Sequence, residues 1–480
     1  MKRLAGADKF QNLTTSGSLR RSKNFSSNDV RAKKFLIKWN KSETVKNNQV
    51  KKILIIGGGY VGLVSAVCWA KVGHKVFLLE IDPARLKALQ AGTAPFFEPQ
   101  LDALLSAHLQ KNLFVTIDVS AAMQELPDFV FLCVGTPANP DGSADLSYVW
   151  QAVFDFCKHV KKSCILICKS TLPVGTTAKI DNFIQIFLAD KKLKIKIKVV
   201  FMPEFLSQGQ AIKNFFEPDR IVVGLKCQKK LSMLKKLHAP LLKKHAKFFS
   251  MNFASAELVK YTSNAMLALR ISFINQIANY AEKVNGNIEQ ISQAVGADPR
   301  IGSQFLSAGL GFGGSCFPKD LAALVHGAAE LKISVSIAEA ALKGNVEQRQ
   351  IFLQKILTRF KDLTGKKIGF LGLAFKVGTD DLRESPALWL VQELASCGAQ
   401  ILVFDPQCKK KIKNLLHAQT FQELLQQDFL VIASNFDFLH QIQPQSFLQL
   451  KDACIFDGRN CFKETFFDGL KIEYYSVGRF

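Results

Sequence analysis

The sequence predicts an α/β protein with two Rossmann-like, doubly wound domains joined by a long central helix. Three observations carry that prediction. Short apolar runs alternate with helical stretches from residue 51 onward, a strand running into a glycine turn occurs twice, and a breaker-poor helical stretch from about Ser255 to Val284 separates the two. A chain of 480 residues, 48% of them hydrophobic, exceeds what one ordinary core accommodates. The expected divisions are a basic, disordered extension over 1–50, a dinucleotide-binding domain over 51–250, a central helical domain over 251–345 and a second Rossmann-like domain over 346–480.

The first unit is the most explicit. Lys51–Leu63 reads as a strand entering a glycine turn and then a helix to about Val72, followed by a second strand over Lys75–Asp82. Gly57, Gly59 and Gly62 have the dinucleotide spacing, with Tyr60 and Val61 inside the turn. Such glycines let a pyrophosphate approach the helix N-terminus. Glu80, at the end of the second strand, would accept hydrogen bonds from a ribose diol and repel a 2′-phosphate, so NAD is expected rather than NADP. The alternation continues through Asp128–Gly135, Cys164–Cys168 and Ile197–Phe201. A ligand site is expected beyond the strand ends, in the loops Gly135–Pro137, Lys169–Gly175 and Pro203–Leu206.

The central helix carries Glu257, Lys260 and Asn264 at spacings that put them on one face. After it comes Gly309-Leu-Gly-Phe-Gly-Gly-Ser-Cys-Phe-Pro-Lys-Asp320. Its glycines are expected to clear space around Cys316, and Pro318 suits the first turn of a following helix. A cysteine at a helix N-terminus with Lys319 nearby is expected to have a lowered pKa. Asp320 lies within reach of the same place. A buried structural cysteine is the competing reading, since free cysteines are most often core residues.

The second unit begins at Gly365–Lys376, a strand and glycine turn, and continues through Gln400–Pro406, Leu430–Ser434 and Ala453–Arg459. Two such units suggest two nucleotide-like ligands, one a cofactor and one a substrate. The net charge is +23. Residues 1–50 hold twelve Lys/Arg against three Asp/Glu, with a possible short amphipathic helix over Val30–Trp39. Lys191–Lys198 and Lys229–Lys236 read as polar faces of surface elements. No aromatic-rich basic motif or helix-turn-helix accompanies the lysines, which argues against a nucleic-acid partner. No apolar run is long enough to span a bilayer and no signal peptide is evident, so a cytoplasmic protein is expected. Eleven scattered cysteines without CxxC pairs fit reduced thiols rather than disulfides or a metal site.

Taken together, these motifs resemble the UDP-glucose/GDP-mannose dehydrogenase family over roughly residues 50 to 480. The resemblance rests on Gly57–Gly62, Lys169–Thr176, Pro203–Leu206, Pro218–Gly224, Ala256–Tyr261 with Asn264, the cysteine loop, Phe375-Lys376 with Asp381–Pro386, and Asp457-Gly-Arg459. It implies four-electron oxidation of the 6-hydroxyl of a UDP-sugar, UDP-glucose by the form of Cys316–Asp320, with two NAD+ and a homodimer or higher oligomer. GDP-mannose or another UDP-hexose is the alternative substrate; a two-electron hydroxy-acid dehydrogenase is a more distant one. By resemblance, Cys316 is the nucleophile, Lys260 stabilises an oxyanion, Asn264 holds the sugar or that oxygen, and Glu204, Asp320 and Thr171 handle water and protons. Phe205, Leu206, Phe312, Gly313, Lys376 and Arg459 join Lys260 and Asn264 in binding the UDP-sugar. Arg300 reaches a neighbouring subunit's substrate. Glu80, Arg85, Thr136, Thr171, Lys319 and Arg383 contact NAD. Two positions depart from the family pattern: Gln208 stands where an acid is common, and Asn214 where Asp is frequent.

Overall fold

The computed structural model describes residues 50–227, 231–242, 246–408 and 410–479. The expectations for residues 1–49, and for Lys229 and Lys230 of the second lysine stretch, lie outside the described residues. The first sheet contains β1 (Lys52–Ile56), β2 (Lys75–Leu79), β3 (Leu113–Thr116), β4 (Phe129–Leu132), β5 (Cys164–Cys168), β6 (Ile197–Phe201), β7 (Arg220–Gly224) and β8 (Lys247–Met251). Their order is β3-β2-β1-β4-β5-β6-β7-β8. The pairings are parallel except β6 with β7, which is antiparallel. The central strands are apolar and buried almost throughout, as a sheet covered on both faces requires.

A second, all-parallel sheet contains β9 (Lys367–Leu371), β10 (Gln400–Phe404), β11 (Leu416–His417), β12 (Phe429–Ile432), β13 (Cys454–Asp457) and β14 (Glu473–Tyr475). Its order is β11-β10-β9-β12-β13-β14. Both sheets grow outward in opposite directions from a first strand, β1 or β9, so each has the switch point at which doubly wound folds bind ligands. The strand ends foreseen from the sequence agree with these elements to within a few residues. β3, β7, β8, β11 and β14 are the strands the apolar pattern did not announce.

Helix α1 (Tyr60–Val72) leaves the β1 turn and is buried on most of its surface, ending at Gly73 with φ +110°. Helix α2 (Thr176–Asp190) follows β5. Between the sheets runs α3 (Phe253–Lys283), 31 residues long, whose N-cap Asn252 accepts from the Ser255 amide at 2.7 Å. Helices α4 (Phe317–Glu330) and α5 (Ser336–Arg359) pack against it. The expected division between residues 345 and 346 falls inside α5, so this helix runs unbroken towards the second sheet. Phe360, its C-cap, stacks on Phe429 of β12, ring centroids 4.4 Å apart, and Phe456 meets Phe429 edge-on while stacking on Tyr475. Each such pair adds about 0.5–1.5 kcal/mol beyond its buried area, which fixes the helical layer to that sheet.

Candidate active site

The glycine turn after β1 is shaped by contacts that exclude side chains. Gly57 has φ +104°, and a Cβ on Gly62 would collide with the Gly57 carbonyl oxygen, so α1 and the turn close on each other at backbone distance. Around Gly59, the N-cap of α1, there is open space instead, which leaves the helix N-terminus free for a phosphate. Glu80 is buried beside Gly58, and its Oε1 accepts from the Asp82 amide at 2.9 Å. Arg85 is exposed in the next helical turn. Tyr60 and Val61 sit at the half-buried start of α1; the Tyr60 hydroxyl donates to Glu98 Oε2 at 2.5 Å. Glu98, buried, also accepts from the Gly209 and Ala211 amides at 2.6 and 2.8 Å. The sequence reading missed Glu98. An acid between Phe96-Phe97 and Pro99 was the available signal.

A turn of α3 brings Lys260 and Asn264 to the ends of the strands. Lys260 is buried and donates to both the carbonyl oxygen and Oε1 of Glu204, each at 2.9 Å. Burial works against the charge on each. Their mutual attraction, with Asp320 adding to the pull on Lys260, holds the ammonium above its ordinary pKa and the carboxyl below its own. Glu204 Oε2 accepts from the Leu206 amide at 2.5 Å. Asn264 Nδ2 donates to Asp320 Oδ2 at 2.6 Å, and Lys319 donates to Asp320 Oδ1 at 2.5 Å. Lys319 also reaches the Thr136 hydroxyl at 3.5 Å. The result is an unbroken polar chain from the first sheet, through Thr136, Lys319 and Asp320, to the central helix. Glu257, on the same face of α3, goes elsewhere: it accepts from Gly175 N, Thr177 N and the Thr177 hydroxyl at 2.6, 2.8 and 2.6 Å. It caps α2.

Cys316 is the N-cap of α4, with Pro318 in the first turn. Its surface is exposed to solvent although it lies deep among protein groups, the position of a thiol on the floor of an open cleft. The expected lowering of its pKa is not found. Burial and the Glu204 carboxylate push the thiol up, Asp320 adds to this, and Lys260 opposes them. The helix N-terminus and Lys319 are outweighed first by burial and then by the two carboxylates nearby.

The loop glycines also differ from expectation. Rather than clearing space for a ligand, they admit the protein's own groups. A Cβ on Gly313 would collide with the Glu384 carbonyl oxygen, and one on Gly314 would lie 2.8 Å from the Phe375 ring. Side-chain amides from α3 and α5 fasten the rest. Asn275 Oδ1 accepts from Gly309 N at 2.8 Å, Gln348 donates to Gly309 O at 2.9 Å, and Asn345 bonds both Phe312 N and O at 2.7 and 2.9 Å. Nothing in the spacing of these amides set them apart from ordinary polar helix residues in the sequence.

The remaining candidates fall into three groups. Phe205 and Leu206 line a small cavity of about 100 Å³ with Glu204, Lys169 and Arg220, whose guanidinium stacks on Phe205 at 3.9 Å. Lys376 donates to the Ser207 hydroxyl at 2.9 Å, with burial pulling its pKa down, and Arg383 forks onto Asp381. Arg459 donates to the Ala433 and Phe375 carbonyls at 2.9 and 3.3 Å and lines a cavity of about 640 Å³ with Leu306, Ser307 and Lys463. Thr171 is half-buried in the loop after β5. Arg300 is not brought to this cluster: its exposed side chain pairs with Asp298 of its own chain at 2.7 Å.

A glycine turn on a parallel sheet closed by a buried acid, opposite a cleft containing a thiol, a lysine and two carboxylates, defines a dinucleotide-dependent oxidoreductase of the Rossmann class. The chain belongs to the UDP-glucose/GDP-mannose dehydrogenase family. Its NAD binding domain matches residues 51–242, its central domain 254–347 and its UDP binding domain 369–464. A UDP-glucose 6-dehydrogenase of Bacillus subtilis (strain 168) is 38% identical over 89% of this chain and 97% of its own length. One from Rickettsia prowazekii (strain Madrid E) is 37% identical over 89% and 99%. A UDP-glucose dehydrogenase structure from the archaeon Pyrobaculum islandicum superposes with TM-score 0.82 at 33% identity, covering 91% of this chain and all of that one. The fold is therefore the family's, the cofactor is NAD, and the chain is an oxidoreductase with a UDP-sugar binding domain. No helix among the described residues is long and apolar enough to cross a membrane.

Proposed function

We propose that this protein oxidises the 6-hydroxyl of UDP-glucose to the carboxylate of UDP-glucuronate. The observation that carries the reading is the Cys316 thiol at the N-terminus of α4, within the electrostatic reach of the Lys260–Glu204 pair and beside Asp320 with its Asn264 and Lys319 partners. Bound NAD supplies the hydride acceptor, twice per sugar. The residues that fit it are the Gly57–Gly62 turn with the open N-terminus of α1, and Glu80 for a ribose. Thr136 and Lys319 link that side to Asp320, on the same helix as the thiol. Arg383 and Thr171 belong to the same set, with Arg85 at its exposed edge.

The chain's own groups divide the remaining work. As the alcohol becomes an aldehyde its hydroxyl proton passes to the Asp320 carboxylate, directly or through a bound water, and Lys260, charged throughout, stabilises the oxygen that bears the developing negative charge. The Cys316 sulfur then adds to the aldehyde carbon to form a thiohemiacetal, whose oxidation gives a thioester. Asp320 and Glu204 are the carboxylates that orient the attacking water and accept its proton; hydrolysis returns the thiol and releases the acid. Asn264, oriented by Asp320, holds the sugar. Phe205, Leu206, Phe312, Gly313, Lys376 and Arg459 form the UDP-sugar side, the two cations facing diphosphate or hydroxyl oxygens.

The assembly we propose is a homodimer built on α3. Met266, Phe273 and Tyr280, exposed at i, i+7 and i+14, form a stripe that Leu258 and Val284 extend. Eleven free cysteines fit a reducing, cytoplasmic setting. The test is stoichiometric: limiting UDP-glucose should yield two NADH per sugar, with GDP-mannose and UDP-N-acetyl sugars slow. Cys316→Ser should form no free acid. One NADH per sugar, or normal turnover by that variant, refutes the reading.

A further inference from the structure

The seam between the two sheets carries a hydrogen-bond chain centred on Gln208. Its Oε1 accepts from the Thr379 hydroxyl at 2.9 Å while its Nε2 donates to Asp381 Oδ2 at 2.9 Å. Asp381 is buried and also takes the Arg383 fork, from Nε at 2.9 Å and Nη2 at 2.6 Å. The carbonyl of Arg383 accepts from Gly314 N at 2.9 Å. The next residue, Glu384, is held at φ +50°, an unfavourable value for a residue with a side chain, and its carbonyl occupies the space left by Gly313. Gly314 lies two residues before Cys316. Side-chain amide, carboxylate, turn and loop amide thus run without a gap from the loop after β6 to the cysteine loop. The seam is tight on either side: a Cβ on Gly209 would lie 2.7 Å from Gly378 O, and Phe97 N donates to Asp380 Oδ1 at 3.1 Å.

We propose that Gln208 is a positioning residue, a neutral latch that fixes the Thr379–Arg383 turn across the seam and, through the Arg383 and Glu384 carbonyls, holds the Gly313–Gly314 arm of the cysteine loop. The inference rests on the oxidation proposed above for its kinetic consequence, and on the geometry alone for its structural one. An amide suits the position because it accepts from one partner and donates to the other. A carboxylate there could still accept from Thr379 but would face ionised Asp381 at hydrogen-bond distance. The surrounding charges relieve that repulsion only in part. Arg383 is committed to Asp381, and Lys410 is paired with Asp380 at 3.3 Å. Lys376 donates to Ser207, while Glu98, bonded to Tyr60, lies beneath the Gly209 and Ala211 amides.

Gln208→Glu and Gln208→Ala in the full-length protein test this by three readouts: the pH profile of kcat and KM, alkylation of Cys316 by iodoacetamide, and amide exchange over residues 309–316 and 376–385. For Gln208→Glu, kcat should fall about tenfold or more near pH ~8.5, with the deficit narrowing towards pH ~5.5 as one carboxyl of the pair takes up a proton and becomes a donor. Gln208→Ala should lower kcat by a factor that does not vary with pH. Both should speed exchange at Gly314 and change the alkylation rate. Wild-type or higher activity of Gln208→Glu across the range, or unchanged exchange at Gly314, overturns the proposal. If the wild-type protein fails to oxidise UDP-glucose while exchange and alkylation respond as described, the reaction assignment falls and the latch stands.

Discussion

A thiol held above its ordinary pKa is made a nucleophile by what surrounds it at the moment of reaction. In Cys316 the raising influences are burial, Glu204 and Asp320, and the lowering ones are Lys260 and the hydrogen bond with the Ser315 hydroxyl. The sign follows directly: a raised thiol pKa means that thiolate, and with it alkylation by iodoacetamide, keeps increasing as pH climbs past the ordinary cysteine value of about 8.5. Removing the cation in Lys260→Met takes away the opposing charge, so the profile should move further to high pH and alkylation at neutral pH should slow. A profile unchanged by that substitution would assign control of the sulfur to another group. The sequence disclosed the thiol's place at a helix start because proline, glycine and the following apolar run are local signals. It did not disclose the sign of the shift, which depends on Glu204, more than a hundred residues away, turning its carboxylate into the same cleft.

At the scale of elements, one face of α3 serves two purposes that its spacing could not tell apart. Glu257, Lys260 and Asn264 share that face, yet the first caps α2 while the others reach the cleft. The reason is position along the helix: one turn nearer the N-terminus, the face meets the end of α2 instead of the strand ends. Glu257→Gln replaces a carboxylate that receives three hydrogen bonds, at 2.6 to 2.8 Å, with a group that offers a single acceptor oxygen. The expected loss is about 1–3 kcal/mol of stability, read as an earlier urea midpoint, with kcat retained in the folded protein. A fall in kcat without a change in unfolding would instead draw Glu257 into the reaction. The elements themselves were largely readable, since buried parallel strands are continuous apolar runs and their turns carry glycine. The fastening of the cysteine loop was not, because Asn275, Asn345 and Gln348 look like ordinary polar helix residues until two helices enclose the loop.

At the scale of the whole molecule Arg300 bears on assembly, since in a single chain its exposed side chain pairs with Asp298 and does not join the cleft residues. In the proposed homodimer the exposed apolar stripe of Met266, Phe273 and Tyr280 is the docking face along α3, and a symmetric dimer exchanges equivalent residues between its two sites. Under that arrangement each cleft takes its cysteine from one subunit and its Arg300 from the other. Arg300→Ala and Cys316→Ser should then each abolish activity alone. Unfolded and refolded together in equal amounts, half of the dimers combine one variant of each kind. In these, one site of the two pairs an intact Cys316 with an intact Arg300, so activity should return to about a quarter of the wild-type value. Two sites that each depend on one chain alone would regain nothing on mixing. Replacing Phe273 with aspartate tests the docking face separately: it should lower the mass in solution and the activity together, because a charge on the stripe costs association while the cleft of each chain stays intact.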